Sequence, residues 1–456
     1  QVRWGADRTN RGRNTWQIRS PDRLRPRSPC PRRTQSERPQ ESPWSKFIGN
    51  FVEWFDYASY GFFATVIAKA FFPEIAPESA LLATFAVFAI SFIVRPIGGI
   101  VWGGIGDKIG RRTALSWSIL IMSGATTLIA FLPSYAQIGI LGPILLLIIR
   151  MVQDFSASGE YAGATSFIAE YSPDNRRGLY TSIVPASTAA GLLAGSLMSA
   201  GLFALLDDAQ MQSFGWRLPF LLAAPLGLIG LYIRLKLEDT PKFRELEQSH
   251  EIEATPVRQL FTNYWRQIMI AFGVTCLNAV GFYLILSYMP TYLITEMGIG
   301  EEQSFIATSI TLAVYIGLIF LMGMLSDRFG RKTALITASV LFIGLTVPLF
   351  AMLDGAAFWK IVLIQVAFGA LLTVNDGTLP CFLSEIFPTK VRYSGFAFSF
   401  NTANALFGGT APFVATWLIG ATGSKLAPAW YLVAAAIVAV IAMLMSRETA
   451  NHPLAD

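Results

Sequence analysis

Glu53, Asp56, Tyr57 and Tyr60 stand at positions i, i+3, i+4 and i+7 of an otherwise apolar stretch. On a helix that spacing places all four on one face. Ionisable groups at bilayer depth cost roughly 2.5–3.5 kcal/mol on insertion scales, so such a face must point into a bundle and marks a functional site. A carboxyl group kept from water favours its neutral form and takes up a proton readily. The chemistry these residues suit is therefore proton loading, with Asp56 the first candidate carrier and Glu53 the second.

Two arginines accompany the acids. Arg150 precedes Asp154 by four residues and can pair with it within one helix, and Arg95 lies in a neighbouring apolar stretch. Asp154 joins Asp56 and Glu53 as a proton-coupling candidate. When Asp56 takes a proton, Arg150 loses a partner and its fork of donors becomes available to a substrate carboxylate. Arg95 is the alternative anchor. Further along, Asn278, Tyr283, Asn375, Asp376, Asn401 and Asn404 are polar groups inside apolar stretches and form the expected far wall of a cavity. Asp376 suits a cationic headgroup, aided by the ring faces of Tyr57, Tyr60, Phe282 or Tyr283. The plainer readings are that the acids and arginines only pair to hold helices together, and that Asn and Tyr only bridge them.

The elements that must position these groups are membrane helices. The chain is 53% hydrophobic and 14% charged over 456 residues, whereas soluble domains run near a quarter charged. A span needs about 20 apolar residues. Twelve are expected, at 47–72, 80–105, 113–133, 139–168, 179–206, 216–236, 264–294, 303–325, 333–353, 358–384, 394–420 and 427–446. Backbone groups in lipid must bond within their own segment, so all should be helices. The implied organisation is a disordered basic segment 1–43, a six-helix bundle 44–236, a cytosolic linker 237–263, a second bundle 264–446 and a cytosolic tail 447–456. Pro96, Pro185, Pro219, Pro225, Pro290, Pro348, Pro380 and Pro412 fall within spans and should kink some of them.

The loop Gly106-Asp107-Lys108-Ile109-Gly110-Arg111-Arg112 returns as Ser326-Asp327-Arg328-Phe329-Gly330-Arg331-Lys332. Likewise Glu170, Pro173 and Arg177 return as Glu385, Pro388 and Arg392. One membrane unit is written twice, and such repeats typically move a solute between them. Lys and Arg concentrate on the side of these loops, which makes it cytoplasmic, with both termini inside the inner (plasma) membrane. Asp107 with Arg111 and Arg112, Asp327 with Arg331, Glu170 with Arg177 and Glu385 with Arg392 are the expected cytosolic gate. A surface pair contributes only about 0–1 kcal/mol, but several together bias an equilibrium of a few kcal/mol.

Other classes are excluded. Cys30, Cys276 and Cys381 are too few and scattered for disulfides or a metal site. No metalloprotease helix, P-loop or nucleophile elbow is present, so no cofactor, metal or enzymatic activity is expected. The net charge of +5 gathers in 1–43 and in loops, so nucleic acid is not an expected partner. The partners are a small solute, protons and lipid, and one chain should suffice.

The twin loops resemble those between the second and third, and the eighth and ninth, spans of the major facilitator superfamily. Gly49-Asn50-Phe51-Val52-Glu53-Trp54-Phe55-Asp56, Arg95-Pro96-Ile97-Gly98-Gly99 and Gly159-Glu160-Tyr161 resemble its metabolite–proton symporter family. Ala169-Glu170-Tyr171-Ser172-Pro173-Asp174, Tyr264-Trp265-Arg266, Tyr288-Met289-Pro290 and Glu448-Thr449-Ala450-Asn451 are most similar to the members that carry proline and glycine betaine. Two positions depart from those members: Asp154 stands where Gly is usual, and Arg150 where Lys is usual. The resemblance implies an all-α fold of two six-helix bundles and proton-coupled uptake of a zwitterion such as proline or glycine betaine. The alternative is a di- or tricarboxylate such as 2-oxoglutarate or citrate, held by Arg95 and Arg150 together.

Overall fold

The computed structural model describes residues 44–109, 111–235, 256–389 and 391–454. The segment 1–43, most of the linker 237–263 and the side chains of Asp107, Arg111 and Arg112 lie outside the described residues.

Among the described residues the secondary structure is helical throughout. Ten helices are long and apolar enough to cross a membrane: Pro77–Trp102, Leu141–Tyr171, Asp174–Leu205, Gly215–Tyr232, Trp265–Met297, Glu301–Phe329, Arg331–Ala351, Phe358–Glu385, Arg392–Thr422 and Ala427–Leu444. Two more complete the twelve. The first span is divided at Phe63 into Trp44–Phe62 and Ala64–Phe71, and its charges lower its hydropathy. The third, Arg111–Ala130, has a shorter apolar portion, Ser116–Ala130.

Several spans break regular helix just before a proline, which removes a backbone donor. A 3-10 turn, Phe92–Val94, precedes Arg95-Pro96, and a turn at Gly377-Thr378 precedes Pro380. Two spans of the second half share a further device. The π turn Tyr283–Tyr288 precedes Pro290 in the seventh span, and the π turn Asn404–Gly408 precedes Pro412 in the eleventh. π turns recur at functional positions, and here each begins at a residue that the sequence marks for the cavity. Pro225 and Pro348 stand inside continuous helices.

The two halves meet along two seams. The fifth span packs along the eighth, and the second along the eleventh. Small residues bring the backbones together. A Cβ on Gly178 would lie 2.6 Å from the Gly323 carbonyl oxygen, and one on Gly323 would lie 2.7 Å from that of Gly178. Gly323→Val therefore wedges this seam open. Overpacking costs about 1–3 kcal/mol, so we expect uptake to fall by roughly tenfold or more, since a tenfold change corresponds to about 1.4 kcal/mol. Uptake in intact cells, compared at equal amounts of membrane-inserted protein, checks this; wild-type uptake by Gly323→Val would show that the seam need not close.

Candidate substrate and proton site

The first half buries a charged cluster. Arg95 donates from Nη2 to Glu53 Oε1 at 2.5 Å and to the Tyr57 hydroxyl at 2.8 Å. Its Nε lies 3.3 Å from Asp154 Oδ1. The Tyr57 and Ser91 hydroxyls both donate to Asp154. Asp154 is thus bound to Arg95 across helices, and the expected pairing with Arg150 within the fourth span does not occur. Arg150 turns the other way, donating from Nη1 to Gln153 Oε1 at 3.0 Å. It faces Asp56, with 3.6 Å between Nη1 and Oδ2. Rings enclose both guanidiniums: Phe92 lies 4.6 Å from Arg95, and Tyr60 lies 4.5 Å from Arg150, a packing that suits planar guanidinium groups.

Asp56 stands apart from the other acids. It is buried, yet neither carboxyl oxygen has a hydrogen-bond partner, and Arg150 Nε and Nη2 also lack one. Thr126, beside it, donates its hydroxyl hydrogen to the Met122 carbonyl at 3.0 Å and accepts from Gln153 at 2.9 Å. Burying an ionised carboxylate without full pairing is costly. Glu53, Asp56 and Asp154 face two guanidiniums, and the buried Glu160 adds to the negative side. Among the described residues the acids outnumber the bases, so a bound proton relieves the cluster; it meets no competing hydrogen bond on either oxygen of Asp56 or on Oε2 of Glu53, and only Asp56 has both oxygens unpartnered.

A cavity of about 10 Å³ lies between the halves, lined by Trp54, Tyr161, Pro185, Thr188, Asn278, Phe282, Asp376, Phe400 and Asn404. That is room for about one water. Of the expected wall residues, Asn278, Asp376 and Asn404 line the cavity. Arg95, Arg150, Tyr57, Tyr60 and Tyr283 lie in the aromatic layer behind Trp54 rather than on the wall. Trp54 belongs to both places, lining the cavity and packing on Tyr57 with ring centres 5.3 Å apart. Asn401 donates to the Ser158 carbonyl at 2.7 Å and so ties the eleventh span to the fourth. Asn375 is buried with neither side-chain polar atom partnered. Asp376 accepts from Asn278 at 2.7 Å and from Tyr315 at 2.6 Å.

Thr188, Tyr315 and Phe400 are absent from the residues the sequence singles out, and Tyr161 stands there only within Gly159-Glu160-Tyr161, not as a wall residue. Aromatic rings are common in any span, and only their convergence on Asp376 distinguishes these.

At one end of the bundle the duplicated motifs exchange partners. Arg177 donates to Glu385 at 2.8 Å and Arg392 to Glu170 at 3.1 Å. The pairs therefore run between the halves, where sequence spacing suggests Glu170 with Arg177 and Glu385 with Arg392. Asp327 receives the backbone N–H groups of Gly178 and Leu179 at 2.8 and 2.9 Å and binds Arg331 at 2.6 Å. Arg331 reaches Glu385 as well, at 3.4 Å. The C-terminal segment joins this lattice: Glu448 accepts from the backbone of Arg331 and Lys332, and Thr449 donates to Glu385 at 2.7 Å. Arg177, Arg331 and Arg392 are buried, so these pairs are far from the exposed kind the sequence suggests.

The family model described as "Major Facilitator Superfamily" matches residues 47–318, and that for "Sugar (and other) transporter" matches 242–456. The chain is 40% identical over 423 residues to the glycine betaine/proline/ectoine/pipecolic acid transporter OusA of Dickeya dadantii, covering 89% of this chain and 83% of that one. It is 38% identical over the same length to the proline/betaine transporter of Escherichia coli, with the same coverage. A putative proline/betaine transporter of Staphylococcus aureus is 38% identical over 393 residues, covering 86% of this chain and 84% of that one. Among solved structures, the proton:xylose symporter XylE bound to 6-bromo-6-deoxy-D-glucose superposes with a TM-score of 0.74. At 18% identity, over 90% of this chain and 96% of that one, it shares the fold.

Proposed function

We propose that this chain, which belongs to the major facilitator superfamily, takes up small zwitterionic osmolytes such as proline and glycine betaine together with protons. It is a transporter and not an enzyme, built as twelve spans in two six-helix bundles that rock about a central site. The bundles correspond to 44–236 and 264–446, joined by 237–263, with 447–456 following the second. The lysine- and arginine-rich loops set the Arg177–Glu385 end at the cytoplasm of the plasma membrane, with both termini inside. One chain supplies both walls of the cavity, so a single copy suffices, and no cofactor or metal takes part.

The observation that carries the reading is Asp56: a buried carboxyl with no hydrogen bond, 3.6 Å from Arg150, one aromatic layer from the cavity. Protonation of Asp56 leaves Arg150 uncompensated. Its positive field then draws the carboxylate end of the substrate toward the first half. Release of the proton restores the ion pair and weakens that attraction. Glu53 and Asp154, held by Arg95, keep Arg95 occupied through the cycle. The cytosolic lattice of Glu170, Arg177, Asp327, Arg331, Glu385 and Arg392 holds that end shut while the other opens, and Asp107, Arg111 and Arg112 extend it.

A dicarboxylate substrate would need cations on the cavity wall, and neither arginine lines it. Adding glycine betaine to weakly buffered cells should alkalinise the medium, and excess betaine should suppress labelled proline uptake whereas 2-oxoglutarate should not. Suppression by 2-oxoglutarate alone would overturn the substrate assignment, and uptake without alkalinisation would overturn the coupling.

A further inference from the structure

Resting on that reading, we infer that the cavity recognises its substrate by the cationic end, through an aromatic cage closed by Asp376, and that it favours N-methylated ammonium groups. Four rings, Trp54, Tyr161, Phe282 and Phe400, line the same small space as Asp376. Trp54 and Phe282 meet edge to face with centres 4.9 Å apart, and Phe400 stacks on Tyr161 at 4.5 Å. The rings come from the first, fourth, seventh and eleventh spans, so both halves contribute. Their faces carry partial negative charge, which attracts a cation whose own N–H bonds are few or absent.

Asp376 is the anionic member. It is 1% exposed and accepts one hydrogen bond on each oxygen, from Asn278 and Tyr315. A carboxylate has about four acceptor sites, so it has capacity left. No lysine or arginine pairs with it among the described residues, unlike Glu53, Asp56 and Asp154 of the first-half cluster. A buried anion without a counter-ion is costly, and a bound ammonium group supplies the missing charge.

A trimethylammonium group has no hydrogen to donate, so it gains from rings and field alone and needs no acceptor to match it. A primary ammonium, with three N–H bonds to satisfy, would leave donors facing rings. The empty cavity is too small for either, so substrate enters while the halves are apart and the rings close over it. Trp54 also packs on Tyr57 of the proton cluster, and its indole N–H is buried without a partner. Occupancy of the cage is thereby felt one ring away from Arg95 and Arg150.

The test compares glycine betaine with 3,3-dimethylbutanoate, which has the same shape with carbon in place of the charged nitrogen. Binding to purified full-length protein is measured by calorimetry. We expect betaine to bind at least tenfold more tightly than this isostere, whose tert-butyl end carries no charge. Asp376→Asn and Phe282→Leu should each erase most of that difference by weakening betaine alone, whereas Trp54→Phe, which keeps a ring, should retain most of it. Equal binding of the two compounds by the unaltered protein, with betaine uptake still present, would overturn the cage and leave the transport reading standing. Absence of betaine binding and uptake altogether would overturn both. A variant that weakens betaine and the isostere alike has lost its cavity shape, and that result in both Asp376→Asn and Phe282→Leu would also count against the cage.

Discussion

Asp56→Asn reduces accumulation of glycine betaine to the level of simple equilibration, while exchange of external for internal betaine continues. The asparagine side chain keeps the volume and removes the titration. It fixes the cluster in a state resembling the protonated one, with Arg150 unpaired throughout. Substrate can then enter and leave, but no proton is exchanged between the two faces. A proton moving through about 100 mV supplies roughly 2.3 kcal/mol, enough for nearly fifty-fold accumulation at about 1.4 kcal/mol per factor of ten. The whole of that factor is what the variant forfeits. Vesicles with an imposed gradient measure net uptake, and preloaded vesicles measure exchange. Uphill uptake at the wild-type level would remove Asp56 from its role.

Glu385→Ala has the second largest expected effect. Glu385 accepts from Arg177 across the halves, lies 3.4 Å from Arg331 and receives the Thr449 hydroxyl. Its loss takes one of two carboxylate partners from each of two buried guanidiniums, Arg177 keeping Asp174 and Arg331 keeping Asp327, where breaking a buried pair outright costs about 3–5 kcal/mol. Of these contacts the Arg177–Glu385 pair runs between the halves, so its loss moves the equilibrium toward the form open at this end. Cys381, whose thiol lies 3.2 Å from Glu385, should become accessible to a membrane-impermeant alkylating reagent in inside-out vesicles, and uptake should fall more than tenfold. Glu385→Gln, which keeps acceptor oxygen and volume, should be milder. Unchanged alkylation and uptake in Glu385→Ala would show that the lattice does not hold this end closed.

The residues that bear charge inside the spans were legible from their rarity. Glu53, Asp56, Arg95, Arg150 and Asp154 stand out in apolar surroundings, and the structure gathers all five in one cluster. Their pairing was not legible. Helical spacing suggests Arg150 with Asp154, yet Arg150 faces Asp56 and Asp154 goes to Arg95 and Tyr57, because tertiary packing chooses among rotamers that spacing leaves open. The same holds for the duplicated motifs. Offsets within each half suggest Glu170 with Arg177, whereas the assembled halves swap them. Proline marks the breaks at Pro96, Pro290, Pro380 and Pro412 but not at Pro225 or Pro348, where the helix continues. Apolar length marks all twelve spans, the first and third included, but not that the first is divided at Phe63 or that the apolar part of the third is only Ser116–Ala130. The cavity wall was the least legible part. Tyr161, Phe400 and Trp54 read like any aromatic residue of a membrane helix until their rings are seen around Asp376.

In this mechanism Asp56 changes its protonation as substrate binds and leaves. Infrared difference spectroscopy of the reconstituted protein, recorded on adding glycine betaine, observes protonated carboxyl groups directly. We expect a substrate-dependent band from a protonated carboxyl in the wild-type protein and in Asp154→Asn, and its disappearance in Asp56→Asn. The same band persisting in Asp56→Asn would contradict it.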